Sequence, residues 1–209
     1  MPQRAGGWCA GGFDTPVRAR LYLRPRRADG QGEEAMADQL DPALRARLER
    51  GEIVTERSTN ERGLRGAIGR ALIAAPPDRV FEVIADFEHY DRFMPYTVLA
   101  VVERRQGDEL WFRTALDFRL KRVSYTLHVR LDPQRRGLDW TLAGGDLRAN
   151  EGGWRLEPWG SDESFVTYTA YVDPGFPLPG FMVAKLTESS LPEVIRAVRR
   201  RVGDRKYPG

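Results

Sequence analysis

The sequence predicts an α+β domain in which a curved antiparallel sheet wraps around a long C-terminal helix. Two patterns support this prediction. Between Thr97 and Val172, apolar residues alternate with polar ones over short runs separated by turn residues, which is typical of half-buried strands. Between Leu191 and Val202, apolar residues recur every three or four positions, as they do along one face of a helix. A sheet with one apolar face must bury that face against another element, and we expect this helix to be that element.

The first part of the 209-residue chain differs from the rest in composition. Residues 1–35 are rich in Gly, Arg and Pro and show no apolar period, so we expect a disordered leader. Met36 begins a run that resembles an ordinary translation start, which suggests that the natural product begins there. Residues 36–62 are expected to form a short helix capped by Asp41 and then an extended lead-in. Residues 63–205 are expected to form the main domain.

The main domain is predicted to begin with a strand followed by a helix. The strand covers about 64–74, and the helix covers 77–87. Pro76 and Pro77 mark the change between them, because proline cannot donate a backbone hydrogen bond but is tolerated in the first turn of a helix. Apolar residues in the helix recur at three- and four-residue spacing, so this helix has one apolar stripe that needs a sheet to lie on.

Six further strands are predicted from the alternation of apolar and polar residues. Their approximate bounds are Thr97–Arg105, Leu110–Leu120, Val123–Leu131, Leu138–Leu142, Trp154–Leu156 and Phe165–Val172. The proline-rich run 173–180 is too constrained for a helix or a central strand and is predicted to be a connector. The closing helix is expected to begin directly after it, and Pro192 is expected to kink this helix or divide it in two.

Composition argues against several classes of protein. Cys9 is the only cysteine, so an internal disulfide is excluded, and two histidines without an acidic cluster argue against a metal site. No apolar run approaches the roughly 20 residues of a membrane span, and the N-terminus lacks the apolar region of a signal peptide. We therefore expect a cytoplasmic protein. Phosphate loops, dinucleotide fingerprints and hydrolase motifs are missing from the sequence, so no cofactor and no catalytic residue are predicted.

Two motifs resemble a known superfamily. The run AAPPDRVFEVIADFEHYDRFMPY, from Ala74 to Tyr96, and the later run GGWRLEP, from Gly152 to Pro158, are similar to SRPBCC or START-like proteins. The resemblance covers roughly 64–202. It is to the polyketide cyclase/dehydrase branch, which includes coenzyme Q-binding proteins and RatA-like ribosome-association proteins. It implies a helix-grip fold with a ligand-binding cavity between the sheet and the closing helix.

Large side chains on the inner faces are expected to line that cavity. The candidates are Phe87, Phe93, Met94, Tyr96, Phe112, Thr114, Tyr125, Trp140, Trp154, Tyr168, Phe181, Met182 and Leu186. Core packing is the alternative explanation for each of them. His128 is expected on the polar face of its strand and His89 in a helix exit, so neither is a candidate general base.

Three functions are compatible with these patterns. The first is carriage of a hydrophobic small molecule, an isoprenoid quinone or another lipid, without chemical change; the lack of an inward acid–base pair favours it. The second is association with the ribosome, RNA or another anionic surface. Its basic surface candidates are Arg196, Arg199, Arg200 and Arg201. The third is a polyketide aromatase/cyclase, in which polar cavity residues orient a polyketide.

Overall fold

The computed structural model describes residues 40–118, 121–176 and 190–207. Its strands are β1 (Val54–Thr59), β2 (Arg65–Ile73), β3 (Thr97–Gln106), β4 (Glu109–Asp117), β5 (Arg122–Leu131), β6 (Gly137–Gly145), β7 (Ala149–Trp159) and β8 (Glu163–Asp173). Its helices are α1 (Pro42–Glu49), α2 (Pro77–Ile84), α3 (Tyr90–Phe93) and α4 (Ser190–Val202), with a 3₁₀ turn at Phe87–His89. The strands form one antiparallel sheet in the order β1-β2-β8-β7-β6-β5-β4-β3.

The first helix and strand follow from local chemistry. The Asp41 carboxylate accepts hydrogen bonds from the backbone N–H groups of Ala43 and Leu44 at 2.9 and 3.0 Å, which caps α1. Gly51 follows the helix with a φ of +84°, a conformation that glycine adopts without steric cost. The segment predicted as an extended lead-in forms β1, which pairs with β2 and is therefore an edge strand of the sheet.

The α2 helix begins at the proline pair, as predicted, and ends three residues earlier than expected. Pro77 is its first residue, and Val80, Phe81, Val83 and Ile84 are buried. Asp86, with φ −81° and ψ 56°, is outside the helical region, so the chain turns there and continues as the 3₁₀ turn and α3. The aromatic residues after Ile84 therefore lie on short turns at one end of the sheet.

The α4 helix packs its apolar stripe against the inner face of the sheet. Ile195 is fully buried, and it approaches β2 so closely that a Cβ placed on Gly69 would lie 2.9 Å from its Cδ1. The described part of the helix is continuous from Ser190, with Pro192 near its start. Its expected beginning at Phe181, Met182 and Leu186 lies outside the described residues. The predicted fold class, a sheet gripping a C-terminal helix, is confirmed.

A second, smaller apolar cluster lies on the opposite face of the sheet from the main core. It consists of Leu48, Val54, Leu72, Phe165 and Tyr207. This cluster joins α1, β1 and the residues after α4 to the outer side of β2 and β8. The main core fills the space between the inner face of the sheet and the helices α2 and α4.

The prediction that Arg199 belongs to a basic surface is wrong. Its side chain is 1% exposed, and it donates hydrogen bonds to the Leu72 carbonyl from Nε at 3.0 Å and from Nη2 at 2.8 Å. Nη1 donates to the Gly51 carbonyl at 3.0 Å. Buried carbonyl groups need donors, and a guanidinium can serve two of them at once. Burial lowers the pKa of Arg199. Through its hydrogen bonds, Arg199 connects the C-terminal helix to β2 and to the residue that follows α1.

Candidate functional site

The inner face of the sheet is less buried around Tyr125 of β5, Tyr168 of β8 and Leu142 of β6 than in the centre of these strands, although Val123, beyond Tyr125, is again only 5% exposed. On β5, Val129 is fully buried, Leu127 is 8% exposed and Tyr125 is more exposed still. On β8, Val166 is fully buried, whereas Tyr168 and Ala170 are only partly buried. The same decrease runs along β6 from Leu138 through Trp140 to Leu142. The core is therefore closely packed around Val129, Val166 and Leu138, and it keeps accessible surface around Tyr125, Tyr168 and Leu142.

The less buried end lies where β4 turns into β5 and where β8 ends, and we refer to it as the open end. Its rim is formed by Tyr96, Phe118, Lys121 and Phe176. The ring of Tyr96 lies 5.2 Å from that of Phe118, and the Lys121 ammonium lies 3.2 Å from the centre of the Phe176 ring. Tyr96 has a φ of +61°, which is uncommon for a residue other than glycine. A hydrogen bond to Glu193 of α4 raises the pKa of Tyr96, so the rim is also tied to the helix.

A polar cluster lies just inside the open end and is built on β5, β6 and β7. The indole Nε1 of Trp140 donates to Asn150 Oδ1 at 2.9 Å, and Asn150 is 7% exposed. Because an indole N–H is only a donor, it fixes the amide with its oxygen towards Trp140. Burial raises the pKa of Tyr125 to about 12, and the neighbouring Asn150 side chain opposes this by hydrogen bonding. Tyr125 is therefore a neutral phenol throughout the physiological range.

Tyr168 completes this cluster from β8. Its ring centre lies 4.4 Å from that of Trp154 and 5.8 Å from that of Trp140, so two indoles fix its position. Burial raises the pKa of Tyr168, and the nearby Tyr125 raises it further. Among the residues that the structure describes, the Tyr168 hydroxyl has no hydrogen-bond partner.

A second aromatic group comes from the turns after α2. Tyr90 donates to the Ile84 carbonyl at 2.5 Å, and burial raises the pKa of Tyr90 well above its usual value. Its ring packs 4.9 Å from Phe87 and 5.5 Å from Phe112. Phe93 packs edge-on against Tyr90 at 5.4 Å. Phe87 and Phe112 are buried in the main core, and the hydroxyl of Tyr90 is satisfied by the Ile84 carbonyl.

The structure brings most of the sequence-predicted site residues into these two groups. Tyr125, Trp140, Trp154 and Tyr168 lie together in the polar cluster, and Phe87, Phe93 and Phe112 lie together in the aromatic group. Met94 is buried beside the latter, and Tyr96 lies on the rim. Thr114 is buried, and its hydroxyl donates to the Leu99 carbonyl at 2.9 Å, so its polar group is used within the sheet. Phe181, Met182 and Leu186 lie outside the described residues.

Sequence reasoning missed Asn150 and Tyr90. The alternation on β7 contains a signal for Asn150, because it precedes Trp154 by four residues and even-numbered positions share the inner face. The two glycines between them concealed that alternation. Tyr90 lies beyond the end of α2, and the turn at Asp86 sets the direction in which it points. The three- and four-residue spacing of a helix therefore does not predict its position.

Both histidines make their contacts away from the inner face of the sheet. His128 stacks on Trp111 with ring centres 4.6 Å apart, and its Nε2 lies 2.9 Å from Glu109 Oε2. His89 Nδ1 lies 2.6 Å from Asp86 Oδ1. Neither histidine faces the interior. Across residues 40–118, 121–176 and 190–207, no group of three His, Cys, Asp or Glu side chains is arranged to hold a metal ion.

A cleft of about 350 Å³ lies between α2 and α4 and is lined by charged side chains. Arg79 pairs with Glu82 at 2.9 Å, and Arg201 lies 3.5 Å from Asp86. The charges of this cleft are therefore paired with each other, in contrast to the apolar walls of the interior. None of the helices in the described segments has the length and apolar character required to span a bilayer.

The chain is similar to a known family and to several solved structures. A family model described as "Polyketide cyclase / dehydrase and lipid transport" matches residues 73–199. A STAR-related lipid transfer protein from Xanthomonas axonopodis superposes with a TM-score of 0.62 at 17% identity, covering 73% of this chain and 94% of that one. Human StAR-related lipid transfer protein 5 gives a TM-score of 0.61 at 11% identity, with coverage of 80% and 97%.

An aromatase/cyclase from a Streptomyces species gives a TM-score of 0.59 at 18% identity, covering 72% of this chain and 94% of that chain. At these identities, the three similarities establish the START-like helix-grip fold. Among curated proteins, none matches the sequence.

Proposed function

The chain belongs to the polyketide cyclase/dehydrase and lipid transport family, and on that premise we propose that it binds and carries a hydrophobic small molecule without transforming it. The ligand would lie between the inner face of the sheet and α4, at the open end. Members of a fold family reuse one site for different ligands, so the residues of the site, and not the fold, determine which ligand binds.

The observation that carries this proposal is the loss of burial towards the open end of an otherwise apolar interior. Val129 and Val166 are completely buried, while Tyr125 and Tyr168, on the same strands and the same face, keep accessible surface. Ligand sites are typically apolar pockets with a few polar anchors. Apolar surface contributes about 25 cal/mol per Å² on burial, so the walls would supply most of the affinity and the polar cluster the orientation.

An isoprenoid quinone is the leading ligand, with another lipid as the broader class. Resemblance to coenzyme Q-binding proteins supports the quinone, and similarity in fold to two lipid transfer proteins supports the class. The flat rings of Trp140, Trp154 and Tyr168 suit a planar head group. We expect the protein to act in the cytoplasm, taking up its ligand through the open end.

The experiment is extraction of protein purified from its own host with organic solvent, followed by mass spectrometry of the extract. We expect a hydrophobic compound in stoichiometric amount. Titration of stripped protein with decylubiquinone, followed by tryptophan fluorescence, provides an independent measurement because two indoles lie beside the interior. The proposal would be contradicted if neither quinones nor lipids quenched the tryptophan fluorescence of the stripped protein in a saturable manner.

A polyketide aromatase/cyclase is the second candidate. The observation that favours it is the pair of neutral phenols, Tyr125 and Tyr168, which could hold a polyketide carbonyl, together with the similarity in fold to an aromatase/cyclase. Acid–base catalysis works best with a group whose pKa lies near the operating pH, and a pKa of about 12 for Tyr125 is far from it. Incubation with a linear polyketide thioester would decide, because a cyclised product would support this candidate over simple carriage.

Association with the ribosome is the third candidate, and the exposed arginines Arg200 and Arg201 at the end of α4 favour it. Arg196 is partly buried, and the correction for Arg199 removes one of the four charges on which this candidate depended. Phosphate contacts make binding fall steeply with salt. Cosedimentation that is lost at high salt and in the Arg200→Glu variant would support it, and failure to cosediment at low salt would exclude it.

A further inference from the structure

We infer that the interior selects ligands with a planar ring system over flexible acyl chains, and that Asn150 and Gly152 are the positioning residues that set this preference. They act by fixing the indole of Trp140, which in turn holds the ring of Tyr168. This inference rests on the proposed function and specifies the chemical class of the ligand. Three contacts support it: a hydrogen bond, a close approach between neighbouring strands and a stack of three rings.

The first contact is the hydrogen bond between Trp140 and Asn150. The indole Nε1 donates to Asn150 Oδ1 at 2.9 Å, and the two residues are only 9% and 7% exposed. A buried indole N–H that turned away from Asn150 would lose its acceptor, so this bond favours one orientation of the ring. The polar edge of the indole is directed at β7, and its hydrocarbon surface is left for contacts in the interior.

The second contact joins the same edge of the indole to Gly152. Gly152 is the partner of Trp140 in the register of β6 and β7. A Cβ at position 152 would lie 2.5 Å from Cζ2 of Trp140 and 3.0 Å from Cε2, which is the carbon bonded to Nε1. The indole therefore occupies the space that a side chain at position 152 would fill, and glycine allows it to reach Asn150.

The third contact is a stack of three rings in which Tyr168 is the middle member. Its ring centre lies 4.4 Å from that of Trp154 and 5.8 Å from that of Trp140, with interplanar angles of 32° and 35°. Trp154 is 2% exposed and is held by the surrounding core, whereas Trp140 is held by its two contacts with β7. Tyr168 is less buried than either indole, so its ring is the part of the stack that a ligand can contact.

A rigid aromatic surface discriminates between ligands by their shape. A planar ring stacks on Tyr168 without changing conformation, and aromatic pairs gain affinity beyond the area that they bury. A flexible acyl chain gains only buried area, and it loses rotational freedom when it lies against a fixed wall. Binding sites that accept many shapes use adaptable side chains such as methionine. The fixed stack therefore favours a quinone or another fused or conjugated ring system.

The test compares two ketones with the same number of carbon atoms, methyl naphthyl ketone and methyl decyl ketone. Their polar groups are the same, so the ratio of their dissociation constants reports the shape of the apolar part. The decyl ketone is measured by displacement of the fluorescent naphthyl ketone. Both constants are determined for the wild-type protein, for Asn150→Leu, which removes the acceptor of the indole N–H, and for Gly152→Ala, which pushes the indole away from β7.

Each variant has a matched control outside the stack. Gly153→Ala adds the same methyl group at the next position of β7, where it would lie 2.5 Å from Asp139 Oδ1 on the outer face. Ser164→Ala removes one buried hydrogen bond, from Ser164 Oγ to the Ala75 carbonyl at 2.7 Å, just as Asn150→Leu removes one. A general loss of stability should appear in both members of each pair, and a change in selectivity only in the interior variant.

The wild-type protein should bind the naphthyl ketone more tightly, although the decyl chain exposes the larger apolar surface. Asn150→Leu and Gly152→Ala should each weaken binding of the naphthyl ketone by about 2- to 10-fold, the range that one aromatic contact contributes, and change binding of the decyl ketone by less than about twofold. Both controls should leave the ratio of the two constants unchanged. In NMR spectra, the naphthyl ketone should shift the ring protons of Tyr168, and the indole N–H of Trp140 should exchange faster with solvent in Asn150→Leu than in Ser164→Ala.

The outcomes separate this inference from the function on which it rests. If the wild-type protein binds the decyl ketone at least as tightly as the naphthyl ketone, the interior takes apolar ligands without selecting planar ones, and the inference is wrong. It is also wrong if Asn150→Leu weakens both ketones equally, or weakens the naphthyl ketone no more than Ser164→Ala does. Should Gly152→Ala fail to fold, Asn150→Leu decides, because it adds no bulk. If neither ketone binds in a saturable manner, and decylubiquinone also fails, the proposed function itself is contradicted.

Discussion

Replacement of Arg199 by methionine should destabilise the protein by several kcal/mol. Methionine keeps most of the length of the side chain, but it removes three N–H donors that contact the Leu72 and Gly51 carbonyls at 2.8 to 3.0 Å. Leaving a buried carbonyl unpaired costs roughly 1 to 3 kcal/mol, so two of them predict a loss of about 2 to 6 kcal/mol. Part of this loss is offset, because the variant no longer buries a charge.

The assay is urea unfolding of the wild-type protein, Arg199→Met and the control Arg200→Met. Arg200 is the next residue on α4 and is exposed, so its substitution should change the free energy of unfolding by no more than about 0.5 kcal/mol. Arg199→Lys should be intermediate, because one ammonium cannot reproduce the forked contacts with two carbonyls. If Arg199→Met is no less stable than Arg200→Met, the buried role of Arg199 is wrong and its assignment to the surface is restored.

Three further predictions concern the interior and the contact between helix and sheet. Asn150→Leu should lower the free energy of unfolding by about 1 to 3 kcal/mol, because it leaves the buried Trp140 N–H without an acceptor; thermal unfolding measures this, and an unchanged midpoint would contradict it. The raised pKa of Tyr125 means that this tyrosine loses its proton first in the unfolded state. Its contribution to stability should be complete below about pH 10 and fall by ~1.4 kcal/mol per pH unit between 10 and 12, in addition to the contributions of Tyr90 and Tyr168, whose pKa values are raised as well. The free energy of unfolding from pH 9 to 12 should therefore fall less steeply in Tyr125→Phe than in the wild-type protein, by about this amount; equal slopes would be evidence against it. Gly69→Ala should destabilise the fold by about 1 to 3 kcal/mol, because its Cβ would lie 2.9 Å from a buried α4 side chain, whereas Gly144→Ala, with no atom within 4 Å, should be neutral; equal effects in urea unfolding would refute the close packing.

The sheet and the α2 helix could be predicted because their signals are local. Alternation along β4 and β5 assigns each side chain to one face, and that assignment holds whatever the strand pairs with. The proline pair before α2 likewise fixes the start of the helix. Turns that end a helix early depend on backbone angles such as those of Asp86, and apolar spacing does not report them.

The site was only partly predictable because it depends on partners that are distant in the sequence. Arg199 follows Ile195 by four residues, so helical spacing places it beside the apolar stripe, but the carbonyls that receive its hydrogen bonds are 127 and 148 residues away. Asn150 is part of the site because Trp140, ten residues earlier on the neighbouring strand, donates a hydrogen bond to it. Alternation predicted which aromatic residues lie on the inner face, whereas the hydrogen bond from Trp140 to Asn150 joins two strands and is not reported by either strand's own sequence.

The most direct test of a ligand-binding interior at the open end is a decylubiquinone titration of two variants that add the same bulk to opposite faces of β8. Ala170→Phe places a ring on the inner face, and Thr169→Phe places one on the outer face of the same strand. We expect saturable quenching of tryptophan fluorescence in the wild-type protein and in Thr169→Phe, and its loss in Ala170→Phe. Binding that survives in Ala170→Phe at wild-type affinity would contradict it.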